Sequence, residues 1–167
     1  MRQIKEIIIH CSATPLGWMK GSPVEAQRDE IRRWHKAKGW NDIGYHKVIG
    51  RGGDVAMGRP DSKIGAHVRG QNRYSLGLCL IGTAKSPDQK FGENFTPAQD
   101  KRLRHEIAEW RKKYPSITKV SGHNEYANKA CPGFNVPEWY SKRPAVKNSW
   151  WQVILSLFEG GQKWPHQ

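Results

Sequence analysis

Short runs of apolar residues separate the polar segments along most of the chain and predict a set of strands. The run Ile7-Ile8-Ile9 is short and β-branched, which favours a buried strand over a helix. Gly52-Gly53 lies between two further runs and predicts a hairpin turn. The predicted strands cover residues 5–11, 45–50, 54–58, 76–81 and 119–122.

A first amphipathic helix is predicted to begin at Ser22. Serine is a favoured N-cap residue, Pro23 suits the first helical position, and Glu25 completes a capping-box pattern. Gly39 is expected to end this helix, because glycine readily adopts the left-handed conformation found after many helices. The predicted core-facing stripe comprises Val24, Gln27, Ile31 and Trp34.

A second helix is predicted to follow Thr96 and to end by Tyr114. Thr96 is the predicted N-cap and Gln99 its capping-box partner, while the proline after Tyr114 disfavours further helix. Its core face is marked by Leu103, Ile107 and Trp110. Strands and helices therefore alternate without internal repeats. The pattern predicts an α/β domain with a mixed central β-sheet flanked by helices.

The end of the chain carries a separate amphipathic pattern. A predicted break at 142–144 divides the chain into a domain, residues 1–143, and a tail, residues 144–167. Residues 145–159 place apolar side chains over roughly half of a helical circumference, and Gly160-Gly161 ends the pattern. Two interpretations stay open. The helix either docks on the domain and buries its tryptophans, or lies on an anionic bacterial membrane surface.

Composition and charge limit the class of protein. A chain of 167 residues with 37% hydrophobic residues can bury a core, and it contains no apolar run long enough to predict a membrane-spanning helix. The net charge of +13 favours an anionic partner, such as nucleic acid, acidic lipid or a bacterial envelope. The N-terminal segment lacks the pattern of a secretory signal, which predicts synthesis and retention in the cytoplasm. Three cysteines do not predict a disulfide scaffold, so Cys11 and Cys79 are expected to be buried thiols.

One stretch, residues 121–134, carries the residue types of a metal site. His123 and Cys131 stand eight residues apart there, and imidazole and thiolate are ligands that zinc prefers. The spacing exceeds one helical turn, so His123 is expected at a strand end and Cys131 on the following loop. His10, at the end of the first apolar run, is the best candidate for a third ligand. The alternative is a surface histidine beside a buried cysteine, which free cysteines often are.

Six motifs occur in a fixed order, and the similarity that they carry runs from about residue 4 to about residue 140. They are IIIHCSAT at 7–14, GYHKVIGRGGDV at 44–55, GAHVRGQN at 65–72, SLGLCLIG at 75–82, NFTPAQ at 94–99 and HNEYANKACPGF at 123–134. Together they resemble the zinc-dependent N-acetylmuramoyl-L-alanine amidases of phage, within the amidase-2 and peptidoglycan-recognition-protein superfamily. The resemblance implies an amidase-like mixed sheet.

The resemblance also implies an activity and a set of roles. Family members cleave the amide bond between N-acetylmuramic acid and L-alanine in peptidoglycan with a zinc-activated water, and phage members act as endolysins. The implied zinc ligands are His10, His123 and Cys131; the implied catalytic residues are Tyr45 and Lys129; the implied substrate contacts are His67 and Asn72. No HExxH motif stands in the chain, which counts against a zincin.

Two other classes of function are weighed against the enzyme. Some members of the superfamily bind peptidoglycan without cutting it and typically lack the cysteine ligand, whereas Cys131 is present here. A regulator that binds protein or nucleic acid would use the positive charge, but charge alone predicts no specific nucleic acid partner. We therefore expect a monomeric hydrolase that acts on peptidoglycan in the periplasmic or extracellular wall after release from the host cytoplasm.

Overall fold

The computed structural model describes residues 2–142 and contains a five-stranded mixed sheet. Its strands run in the order β3-β2-β4-β1-β5, with β3 antiparallel to β2 and the other neighbours parallel. The strands are β1 Glu6–Cys11, β2 Lys47–Ile49, β3 Val55–Met57, β4 Ser75–Leu80 and β5 Lys119–Gly122. The predicted mixed sheet is confirmed, as is the hairpin between β2 and β3.

The two central strands, β1 and β4, are buried along their whole length. Each has six residues, and their parallel register pairs Ile8 with Gly77 and His10 with Cys79. Parallel strands covered on both faces are near-continuously apolar, which is why both segments could be recognised from sequence. Cys11 and Cys79 are 4% and 0% exposed, so the prediction of two buried thiols is confirmed.

Helices cover the two faces of the sheet unequally. They are α1 Val24–Ala37, α2 Phe91–Asn94, α3 Pro97–Lys113 and α4 Val136–Ser141. On one face α3 packs Leu103 and Ile107 into the same core cluster as Ile7 and Ile9 of β1. On the other face α1 packs against β2 and β3. Since side chains alternate along a strand, His10 points to the α1 side of the sheet.

The start of α1 differs from its prediction, whereas the start of α3 does not. Helix α1 begins at Val24 with Pro23 at the N-cap and without a side-chain cap, so the predicted capping box at Ser22 is not formed. The cause is local, because the N-cap position falls on proline, whose side chain has no acceptor. At α3 the Thr96 hydroxyl accepts the Gln99 N–H, and the Gln99 side chain accepts the Thr96 N–H, both at 3.1 Å. That capping box is confirmed.

The last described helix closes the core. Trp139 of α4 is 9% exposed, stacks on Phe91 and contacts Phe134. Its indole N–H donates to Asp100 at 2.6 Å, and the Arg104 guanidinium lies 4.1 Å from its ring. The predicted domain boundary at 143 and the predicted amphipathic helix of the tail lie outside the described residues. Among residues 2–142, no helix has the length and apolarity needed to cross a bilayer.

Candidate metal centre

Three residues from two distant segments of the sequence meet beside the carboxyl end of β1. One ligand atom each from His10, His123 and Cys131 lies within 4.8 Å of the other two. The sheet register explains the first pair: β1 pairs with β5 up to Ile9 opposite Gly122, so His10 and His123 follow side by side. Their ring centroids are 4.7 Å apart. The loop before α4 then returns Cys131 to the same edge.

The donor set has the chemistry and the spacing of a zinc site. The Cys131 Sγ lies 3.9 Å from His10 Nδ1 and accepts the backbone N–H of Cys11 at 3.3 Å. Tetrahedral nitrogen and sulfur ligands around zinc stand about 3.5 Å from one another. Two imidazoles and a thiolate are also the ligand types that favour zinc over magnesium or calcium. The described residues therefore fit a zinc ion held by three protein ligands.

Burial keeps the imidazole at the centre of this group neutral. His10 is 1% exposed. Desolvation, followed by repulsion from His67 and His123, holds the pKa of His10 well below its usual range. Burial and the nearby Lys129 charge also lower the pKa of His123. Neutral imidazole is the form that binds a metal, so both rings are ready for ligation at neutral pH.

Tyr45 and Lys129 border the same group from different elements. Tyr45 lies two residues before β2, and its ring centroid lies 5.1 Å from that of His10. Burial raises the pKa of the Tyr45 phenol well above its ordinary value, so the group remains a hydrogen-bond donor. Lys129 is exposed, and its charge is among the causes that lower the pKa values of His10 and His123. It also lines a cleft of about 450 Å³ with Asn124 and Asn135, a cleft that none of the three candidate ligands lines. Both positions suit the predicted catalytic roles, which remain predictions.

The two predicted substrate contacts are engaged within the protein. His67 is 8% exposed, and its Nδ1 lies 3.1 Å from His10 Nε2. The Asn72 side-chain oxygen accepts the backbone N–H groups of His67 and Val68, each at 2.9 Å, and so fixes the loop between β3 and β4. Neither contact was predicted from the sequence. Their roles toward substrate remain predictions.

Two further histidines were missed. His35 Nδ1 accepts the Gly44 N–H, and His46 Nδ1 accepts the Gly77 N–H, both at 2.9 Å. Burial is the main cause that lowers the pKa of each to about 4. His35 lies four residues after Ile31 and extends the buried stripe of α1, so its burial could have been predicted from the helical pattern. No such pattern indicated the burial of His46.

Comparisons with known proteins agree with this geometry. Residues 1–134 match the family model described as N-acetylmuramoyl-L-alanine amidase. The endolysin of Escherichia phage T7 is 42% identical over 140 residues, which cover 84% of this chain and 87% of that protein. The endolysin of Klebsiella phage KP32 is 37% identical over 145 residues, which cover 87% of this chain and 91% of that protein. The structure of wild-type Drosophila PGRP-LB superposes with a TM-score of 0.70 at 26% identity, covering 89% of this chain and 87% of that one.

Proposed function

Because the chain belongs to the N-acetylmuramoyl-L-alanine amidase family, we propose that His10, His123 and Cys131 hold the zinc ion used in its reaction. The chain is a peptidoglycan hydrolase of the phage endolysin type. It cleaves the amide between N-acetylmuramic acid and L-alanine. The observation that carries the zinc proposal is the convergence of one thiol and two imidazoles within 4.8 Å.

The chemistry of such a site follows from its donors. When bound, zinc supplies a Lewis acid that lowers the pKa of a coordinated water from about 15.7 toward about 7. The chain holds the two imidazoles neutral, the form that binds a metal. A hydrogen bond with the Cys11 thiol, together with burial, raises the pKa of the Cys131 thiol, and the backbone N–H of Cys11 opposes that shift. Binding of the cation would therefore displace the Cys131 proton.

Two residues would act on the amide itself. The Lys129 ammonium, whose charge acts on His10 and His123, would stabilise the negative charge that develops on the carbonyl oxygen. The Tyr45 phenol, kept protonated by burial, would donate a hydrogen bond to the same oxygen or orient the attacking water. A proton must also reach the departing L-alanine nitrogen, and the water that attacks is its source.

Purified peptidoglycan sacculi test the zinc proposal. We expect new amino termini on alanine, without new reducing ends; a chelator should stop their release and added zinc should restore it. Cys131→Ser should lose both zinc and activity, because it removes the thiolate ligand. His105→Asn, which removes an exposed imidazole on α3, should change neither. Full activity in the chelator, or in zinc-free Cys131→Ser, would contradict the proposal.

The tail adds a second possible contact with the cell. The charge of +13 supports attraction to anionic surfaces, and the amphipathic pattern of 145–159 supports either docking on the domain or contact with an anionic bacterial membrane. Leakage from vesicles containing anionic lipid separates the two interpretations. The membrane interpretation requires leakage by the full chain and its loss in a chain ending at residue 142.

The setting of the reaction is part of the same proposal. Synthesis in the host cytoplasm and action on the wall after release would keep enzyme and substrate apart until lysis. We propose that the protein works there as a monomer without a specific nucleic acid partner. Sedimentation at working concentration, and fractionation of infected cells before and during lysis, are the measurements that test these statements.

A further inference from the structure

A buried chain of hydrogen bonds leads away from the candidate zinc ligand His10. His10 Nε2 lies 3.1 Å from His67 Nδ1, and His67 Nε2 lies 3.4 Å from the Ser75 hydroxyl oxygen. The Ser75 hydroxyl in turn donates to the Gln71 carbonyl at 2.9 Å. This series of hydrogen bonds begins at His10, passes through Ser75 at the start of β4 and ends at the backbone carbonyl of Gln71.

The Gln71 carbonyl at the end of this series fixes which atom donates in each of its hydrogen bonds. A carbonyl oxygen only accepts, so the Ser75 hydrogen points to Gln71 and the Ser75 oxygen is left to accept from His67 Nε2–H. The neutral His67 ring then has a lone pair on Nδ1, which accepts from His10 Nε2–H. One nitrogen of His10 remains without a proton. It is Nδ1, the atom that lies 3.9 Å from the Cys131 sulfur.

The fold makes room for His67 in this place. A methyl group added at Gly77 would lie 2.7 Å from the His67 ring, and one added at Gly65 would lie 2.6 Å from it. Such distances lie inside van der Waals contact, so the ring occupies the space that two missing side chains leave. Asn72 holds the backbone of the same loop through two hydrogen bonds. Position and orientation of the imidazole are therefore set from three sides.

We propose that His67 is a positioning residue for the metal site, which acts through His10. It holds the His10 ring in one orientation and in the tautomer whose Nδ1 lone pair faces His123 and Cys131. The inference rests on the proposed zinc site, and it gives the GAHVRGQN motif a task inside the protein beyond contact with substrate. Loss of a partner that orients a metal-bound histidine typically lowers metal affinity by about 10–100-fold.

A matched pair of variants isolates the acceptor at Nδ1. The side-chain amide of asparagine reaches the position of Nδ1, whereas that of glutamine reaches the position of Nε2. We expect His67→Gln to weaken zinc binding about 10–100-fold in competition with a chromophoric chelator. His67→Asn should stay close to the unsubstituted protein, and so should the surface control His105→Asn. The cobalt-substituted proteins should show a changed absorption spectrum for His67→Gln alone.

Several outcomes would overturn the inference. Unchanged zinc affinity in His67→Gln would do so, as would equal losses in the glutamine and asparagine variants. An increased KM with normal zinc affinity would make His67 a substrate contact instead. Urea unfolding in the presence of chelator should give the same stability for both variants; a loss confined to glutamine there would make the role structural. If the unsubstituted protein bound no zinc, the proposed function would fail first, and independently of His67.

Discussion

At the scale of single residues, the two nitrogens of His10 have different surroundings. Nδ1 faces the Cys131 sulfur at 3.9 Å, while Nε2 faces the His67 ring at 3.1 Å. One side of the ring is thus available to an ion and the other is bound to the protein. The residues around the site fall into two corresponding groups: those that would touch substrate and those that hold the site in place. We propose that Lys129, which is exposed, belongs to the first group.

Replacement of Lys129 by alanine tests the division. If its ammonium stabilises the charge on the carbonyl oxygen, kcat should fall about 10²–10³-fold with zinc affinity maintained. Lys112→Ala, which removes an exposed lysine near the end of α3, is the matched control and should leave kcat unchanged. Turnover of sacculi and zinc content are the two measurements. A variant that loses its zinc would instead show that Lys129 supports the metal site.

At the scale of elements, sequence patterns located the strands because each one is a short run with at least one buried apolar residue. They also identified His10, His123 and Cys131 through their motifs, and β1 pairing with β5 brings those motifs together. The patterns could not reveal that His67 meets His10, since this contact depends on a loop crossing β4. The predicted start of α1 was wrong, because Pro23 rather than Ser22 occupies the N-cap position. The sequence patterns therefore predicted the elements but not the long-range contacts between them.

Gly77 on β4 is the element-scale test, since it determines how closely the loop approaches the strand. Gly77→Ala places a methyl group 2.7 Å from the His67 ring and forces that ring to move. We expect a loss of about 1–3 kcal/mol in the free energy of unfolding, as for other overpacked sites. Zinc affinity should also decrease. The control is Gly92→Ala on α2, where the new methyl group meets no described atom within 4 Å.

At the scale of the whole molecule, neutral buried histidines make the fold sensitive to acid. His35 and His46 each accept a backbone N–H, and burial lowers the pKa of both from 6.5 to about 4. The unfolded chain binds their protons below about pH 6.5, while the folded chain does not until about pH 4. Their contribution to stability is therefore complete above pH 6.5 and is lost as the pH falls toward 4.

Urea unfolding in chelator from pH 7.5 to pH 4 measures this sensitivity. Each ring should contribute up to about 3 kcal/mol of the decrease, the upper value for a shift from 6.5 to about 4. His46→Asn keeps an acceptor near Nδ1 without a titratable ring, and should remove the His46 share of the decrease while His35 and the other buried histidines keep theirs. His105→Asn should leave the decrease as it was. A decrease in His46→Asn as large as in the unsubstituted protein would contradict the contribution of His46.

The pairing of β1 with β5 also has a consequence for the timing of biosynthesis. A ribosome that has released β1 to β4 has delivered His10 and His67 but neither His123 nor Cys131. The candidate metal-binding set is complete only when the segment that includes Cys131 has emerged and β5 has paired with β1. If the proposed ligands are required, nascent chains and products of premature termination before this segment lack the reaction. Hydrolysis of the wall would then require chains whose translation has gone past that point.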